Sequence, residues 1–304
     1  MKLTAAITTQ VIELVCRLPG VPTQDWCQRA SDGLARVHSP CVTLCALGQA
    51  DPRGFISKLH LVGASCSPDY TKRGGTGLTN GELGHTCEQI VENEWLGWNV
   101  GTLEGGSWFV TTATQQGLMP GRGPSALNRR WEWLTPVDVL LGAVVIPGAP
   151  GRMLFVEIAS SDPNVKESNR QLAVLAASLP LLSQRITKAF GEGIDDRKAW
   201  LTPREELVMW HLVAGRKVPQ IAALLHRSIY TVHDHVKSLH RKLQANNRGQ
   251  LVARALGHLS LEDMAGTALS DAEAAVDASD SSPHTQHPPR RTMNSKPRVK
   301  ASEA

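Results

Sequence analysis

Apolar positions recur along this chain first at helical spacing, then in short dense runs, then at helical spacing again. Ile7, Val11, Leu14 and Leu18 form one stripe that predicts a helix over 3–18, stopped by Pro19-Gly20. Two strand-like runs follow, CVTLCAL (41–47) and FISKLHLV (55–62), separated by a turn-like stretch with Asp51-Pro52. A glycine-rich loop is expected over 63–84, a short helix over 86–96, a strand at SWFVTTA (107–113) and a Gly/Pro loop over 117–124. DVLLGAVVI (138–146) and RMLFVEIA (152–159) read as a hairpin around Pro147 to Gly151. Asp162-Pro163 then opens a long helix over 164–190.

In that long helix Leu172, Leu175, Leu179, Leu182 and Ile186 repeat with the period of a coiled-coil seam. Pro180 is expected to kink it near Ala176. The stripe has two readings, packing on the domain's own sheet or a dimer seam shared with the first helix. A helix, strands in meander-like order and a closing helix make an α+β arrangement over 1–190. By element order alone it resembles the GAF and PAS group of sensor domains. Trp95, Trp98, Trp108, Trp131 and Trp133 are candidates to line a pocket there, or simply core and rim.

Length and composition narrow the class. With 304 residues and 41% apolar content, two folded domains are expected, and no apolar run is long enough to span a membrane. The longest, Val139 to Ile146, is broken by Gly142. Thr8, Thr9, Gln10 and Glu13 spoil the opening as a signal peptide, so the protein is expected in the cytoplasm.

All six cysteines (Cys16, Cys27, Cys41, Cys45, Cys66, Cys87) lie early, with no Cys-x-x-Cys pair. They read as buried or inert thiols, the alternatives being a metal, an iron–sulfur centre or a redox switch. No cofactor is implied.

The net charge of +4 is unevenly placed. Residues 1–199 carry 18 basic and 18 acidic groups; residues 259–304 carry five basic and seven acidic. Residues 200–258 carry nine basic groups against Glu205, Glu206 and Asp234. A basic segment in a neutral protein suggests a polyanion, the alternative being a solvated face.

That segment also has the signals of four short helices. Thr202, Pro203 and Glu205 form a capping box, with Leu207, Val208 and Leu212 facing inward and Gly215 as the stop. Val218-Pro219 opens a second helix that buries Ile221, Ala222 and Leu225. After a turn at His226-Arg227, Ser228 caps a third, whose stripe is Val232, Val236, Leu239 and Leu243. Asn247 caps a fourth, containing Leu251, Val252 and Leu256. A helix pair joined by a tight turn, the second helix basic, is how a protein enters the major groove. Tyr230, His233, Asp234, Lys237 and Arg241 fall opposite the apolar stripe.

Leu201, Thr202, Arg204, Glu205, Gly215, Ile221, Ala222, Leu225, Ser228, Thr231, Val232, His235, Lys242, Leu243, Asn247 and Arg248 stand in the order of a known pattern. Residues 200–258 thereby resemble the DNA-binding domain of LuxR/GerE-type transcription regulators. The resemblance implies an all-α four-helix helix-turn-helix domain. It implies that His233, Asp234 and Lys237 face the bases. Ser228, Thr231, Arg241, Lys242 and Arg248 would contact the phosphate backbone, and Leu251, Val252 and Ala255 are dimer candidates or else close the four-helix core. His233 and Asp234 depart from the usual pattern, and a carboxylate accepts from cytosine N4 but is repelled by phosphate, so no known target site transfers.

The expected protein is a one-component transcription regulator, with linker 191–199 joining sensor to reader and a disordered tail over 265–304. Its expected partners are double-stranded DNA, a second copy of itself, RNA polymerase and a small-molecule or redox signal. The alternative is an enzyme-like N-domain fused to a DNA-binding module. No P-loop, nucleophile elbow, His-Glu-x-x-His helix or dinucleotide fingerprint is present in the sequence, which disfavours it.

Overall fold

The computed structural model describes residues 5–38, 40–51, 54, 56–72, 107–118, 126–131, 134, 136–149, 151–160, 165–191 and 199–257. The helix expected over 86–96, most of the linker, the tail from 265 and Trp95, Trp98 and Trp133 lie outside these residues.

The first stripe forms α1 (Ala5–Arg17), and Ile7, Val11, Leu14 and the following Leu18 are all buried. A second helix, α2 (Trp26–Val37), stands where the apolar pattern predicts no element. Its inward face is Trp26, Cys27, Ala30, Ser31, Leu34 and Ala35. Ala30, Ser31 and Ala35 make up half of that face, so few large apolar side chains mark it in the sequence.

The strands are β1 (Val42–Ala50), β2 (Ile56–Cys66), β3 (Trp108–Thr112), β4 (Asp138–Val145) and β5 (Arg152–Ser160). They form one antiparallel sheet in the order β2-β1-β5-β4-β3. The expected hairpin β4–β5 is present, but β5 pairs onward with β1 (Leu47 opposite Leu154), so the sheet is not a plain meander. Both faces of the central strands are covered, which is why β1, β4 and β5 read as dense apolar runs without clean alternation.

One face receives α2 and the long helix, and α1 packs against those two helices. Two short helices precede that helix in the chain, α3 (Pro68–Lys72) and α4 (Ala126–Trp131). The long helix is α5 (Val165–Phe190), and its Leu175, Leu179, Leu182 and Ile186 are fully buried beside Leu140, Val144 and Val156. The stripe therefore packs on its own sheet and is not a dimer seam. A Cβ on Gly142 would lie 3.0 Å from Leu175 Cδ2, so this glycine admits α5 closely. Gly63, expected to open a loop, sits inside β2 beneath α2: a Cβ there would fall 2.2 Å from the Gln28 nitrogen.

The opposite face carries Val42, Leu44, Leu141 and Phe155, covered by Leu127 and Trp131 of α4. In its midst Glu157 accepts from Arg130 Nε at 2.9 Å, Arg130 Nη2 at 2.7 Å and Trp131 Nε1 at 2.7 Å. Both charged side chains are wholly buried.

The C-terminal segment folds as α6 (Pro203–Val213), α7 (Val218–Leu224), α8 (Ile229–Lys242) and α9 (Arg248–Ala255). Its core includes Val208, Met209, Leu212, Ile221, Val232 and Leu239. Leu207, expected inside, is 47% exposed, because the inward arc of α6 is Glu205, Val208, Met209 and Leu212. Leu225 and Val236 are half-buried, and Leu256 is exposed.

Among the described residues no helix is long and apolar enough to cross a membrane, and no group of three His, Cys, Asp or Glu side chains is placed to hold a metal. Cys27, Cys41 and Cys45 are buried, Cys66 is half-buried and Cys16 exposed, all as free thiols. Burial pushes the Cys27 and Cys41 thiols up, away from the reactive thiolate.

Candidate nucleic-acid interface

Local signals set each helix of the C-terminal segment. Thr202 Oγ1 accepts from the Glu205 backbone nitrogen at 3.3 Å, and Glu205 Oε2 accepts from the Thr202 nitrogen at 2.8 Å. Gly215 ends the first helix at φ +81°. The turn between α7 and α8 passes through His226 at φ +50°. Ser228 Oγ accepts from the Thr231 nitrogen at 3.0 Å, and Asn247 Oδ1 from the Gln250 nitrogen at 2.9 Å.

On α8 the inward residues are Val232 and Leu239, while His233, Asp234, Lys237 and Arg241 are exposed. Tyr230 stands 85% exposed at the start of the helix. The face expected from spacing is thus the solvent face of α8. Ser228 and Thr231 are exposed too, their hydroxyls paired at 2.8 Å.

The basic residues divide into two groups. Arg204, Arg216, Lys217, Arg227, Lys237, Arg241 and Arg248 are exposed. Lys242 turns inward, with Nζ at 2.8 Å from the Trp200 carbonyl and 2.7 Å from Glu205 Oε2. Arg254 is 1% exposed. The acids move the opposite way: Glu205 is buried and Glu206 half-buried, which leaves Asp234 as the exposed one. The surface of the segment is therefore more one-sidedly positive than its composition.

Glu205 is the hub that sequence reasoning saw only in part. Besides its capping role it accepts from Ser238 Oγ at 2.6 Å and from Lys242, both on α8. Burial alone would raise its pKa. Hydrogen bonds from Lys242, Ser238 and Thr202 outweigh that and hold it down at about 2. The capping box was visible; nothing local announced partners more than thirty residues on.

Arg248, expected on phosphate, places Nη2 at 2.9 Å from the Leu212 carbonyl and 3.0 Å from the Arg216 carbonyl. A cation there suits the open carbonyls at the end of α6. Leu251 and Ala255 lie in the core of the segment, and Val252 is half-buried.

Residues 199–255 match the family described as bacterial regulatory proteins, luxR family. This segment is a LuxR-type domain. No curated protein matches the chain. Among solved structures, SdiA in complex with octanoyl-rac-glycerol aligns at 14% identity over 84% of this chain and 97% of its own, with a TM-score of 0.32. Escherichia coli SdiA in space group P6522 aligns at 12% identity over 84% and 91%, with a TM-score of 0.29. The phage VqmA–DPO complex aligns at 13% identity over 70% and 83%, with a TM-score of 0.20. Superpositions this loose assign no site in the present chain. The chain thus carries an α+β sheet domain followed by a four-helix LuxR-type domain.

Proposed function

We propose that the chain is a one-component DNA-binding transcription regulator that reads duplex DNA through α8. His233, Asp234 and Lys237 face base edges in the major groove. Ser228, Thr231 and Arg241 meet the phosphates beside them. Lys242 and Arg248, each with partners inside the LuxR-type domain, hold the frame and add positive potential behind that face. The carrying observation is the coincidence of three features: an exposed α8 face, a buried opposite face and seven exposed basic residues in the segment that carries it.

Two copies acting on two half-sites is the expected mode, with half-buried Val252 of α9 and exposed Leu256 just after it the apolar side chains open to a partner. The sheet domain is the sensing half, for a small molecule or a redox signal, and RNA polymerase is a downstream contact. The cytoplasm is where such a reader meets its DNA.

Selection of duplexes from a random pool by the full chain tests this. One sequence class should be enriched, and Lys237→Ala should weaken binding to it by about 1–3 kcal/mol. Equal binding by wild type and Lys237→Ala would reject α8 as the reading helix.

A further inference from the structure

Between α1 and α2 the chain runs Leu18-Pro19-Gly20-Val21-Pro22-Thr23, and all six residues are buried. A buried loop must find donors for its carbonyls. Four of them do so, on three helices and on the stretch just before α6. Leu18 O accepts from Arg185 Nε of α5 at 2.8 Å, and Pro19 O from Trp26 Nε1 of α2 at 3.2 Å. Gly20 O accepts from Arg254 Nη1 of α9 at 3.3 Å, and Pro22 O from the Leu201 nitrogen at 2.7 Å. The last contact belongs to a parallel bridge between Thr23 and Leu201.

Arg254 reaches further than the loop. It also donates to the Lys188 and Ala189 carbonyls, at the C-terminal end of α5. A helix leaves its last carbonyls open there and favours a cation. One guanidinium from the LuxR-type domain thus joins the loop to the helix that packs on the sheet.

Apolar side chains are exchanged at the same place. Val21 lies in the core of the LuxR-type domain with Leu201 and Val208. Trp200 lies in the sheet domain's core, edge-on to Phe190 at 5.5 Å, and Phe190 meets Trp26 at 6.3 Å. Gly20 and Gly257 touch so closely that a Cβ on Gly20 would lie 2.8 Å from Gly257 Cα. Arg29 and Glu206 add an ion pair of 2.7 Å at the rim.

We propose that the loop 18–23 is an interdomain latch, through which the packing of α1 and α2 sets the freedom of the DNA-binding helices. Undocking would expose Val21 and Trp200 and leave buried carbonyls without donors, so the two halves move as one until the loop itself shifts. A groove of about 290 Å³ between α1 and α2 reaches Leu18, the first residue of the latch. A change in how these two helices pack therefore acts on the loop directly, without passing through the linker. The functional consequence rests on the DNA-reading role proposed above; the mechanical one does not.

Two chemically unlike variants of the full chain test the latch. Arg254→Ala removes the cation, and Gly20→Ala wedges the glycine contact, so if the first fails to fold the second still reads the same joint. Wild type is expected to unfold in one calorimetric transition and each variant in two. Affinity for a labelled random-sequence duplex at low salt should shift by about fivefold or more, in the same direction in both variants. A wild type that melts in two steps would overturn the latch. So would variants that keep one step, or variants that split while binding DNA like wild type. Lys237→Ala, which leaves the joint intact, separates the two ideas: it should melt as wild type whatever it does to DNA binding.

Discussion

Each half of the molecule buries a carboxylate, and the two are held in opposite ways. Glu157 sits in the middle of β5, with Leu44 of β1 and Leu141 of β4 opposite it on either side. Its charge is met by Arg130 and Trp131 from α4, and nothing of the ion pair reaches solvent. Glu205 sits at the first turn of α6, where its own backbone neighbour Thr202 already binds it, and Lys242 and Ser238 close over it from α8. The first carboxylate is met by a helix 26 and 27 residues away in the chain. The second begins as a local cap and acquires distant partners afterwards. Loss of the partner should therefore be far more damaging at Glu157 than at Glu205.

The largest effect is expected from Glu157→Gln. Arg130 would lose the carboxylate it pairs with at full burial, and breaking a buried ion pair typically costs about 3–5 kcal/mol. Chemical denaturation of the full chain should show that loss in the sheet domain. Replacing both partners by apolar residues, Arg130→Met with Glu157→Leu, should recover most of it. If Glu157→Gln costs no more than an exposed substitution, the two carboxylates do not differ as described.

Glu205→Gln should cost less, on the order of 1–3 kcal/mol, because the cap persists while the charged contact with Lys242 is lost. Acid makes the same point without a mutation. The folded pKa, about 2, lies below the ordinary 4.5. The contribution of Glu205 is thus complete above the ordinary value and is lost as pH falls from there towards 2. A thermal melt followed from neutral pH into that range should show the LuxR-type domain losing stability, and Glu205→Gln should flatten the loss. An equal slope in wild type and variant would remove Glu205 as its source.

What could be read from the sequence follows the same division. Thr202 with Glu205, Ser228, Gly215 and Asn247 act on backbone a few residues away, and each was legible at its correct place. The five described strands were legible because apolar runs covered on both faces are dense. α2 was not, since Ala30, Ser31 and Ala35 carry its period without looking hydrophobic. Arg254 and Lys242 counted as two more surface cations in the sequence, yet the fold turns both inward. The exposed face of α8 followed from spacing alone, whereas the hub at Glu205 and the loop 18–23 exist only once distant segments meet.

The smallest effect tests a residue that belongs to both kinds of contact. Ser228 is a local cap on α8 and also a proposed phosphate contact. Ser228→Ala removes the acceptor for the Thr231 nitrogen and should cost about 0.5–2 kcal/mol in stability. Ser228→Asp keeps an equally good cap, so its stability should return to that of wild type. Its carboxylate, however, would face the phosphates, and DNA affinity should fall below that of Ser228→Ala, most steeply at low salt. Folding and binding would then rank the two variants in opposite orders. If both measurements rank them alike, Ser228 acts only through the helix it caps and has no part on the DNA side.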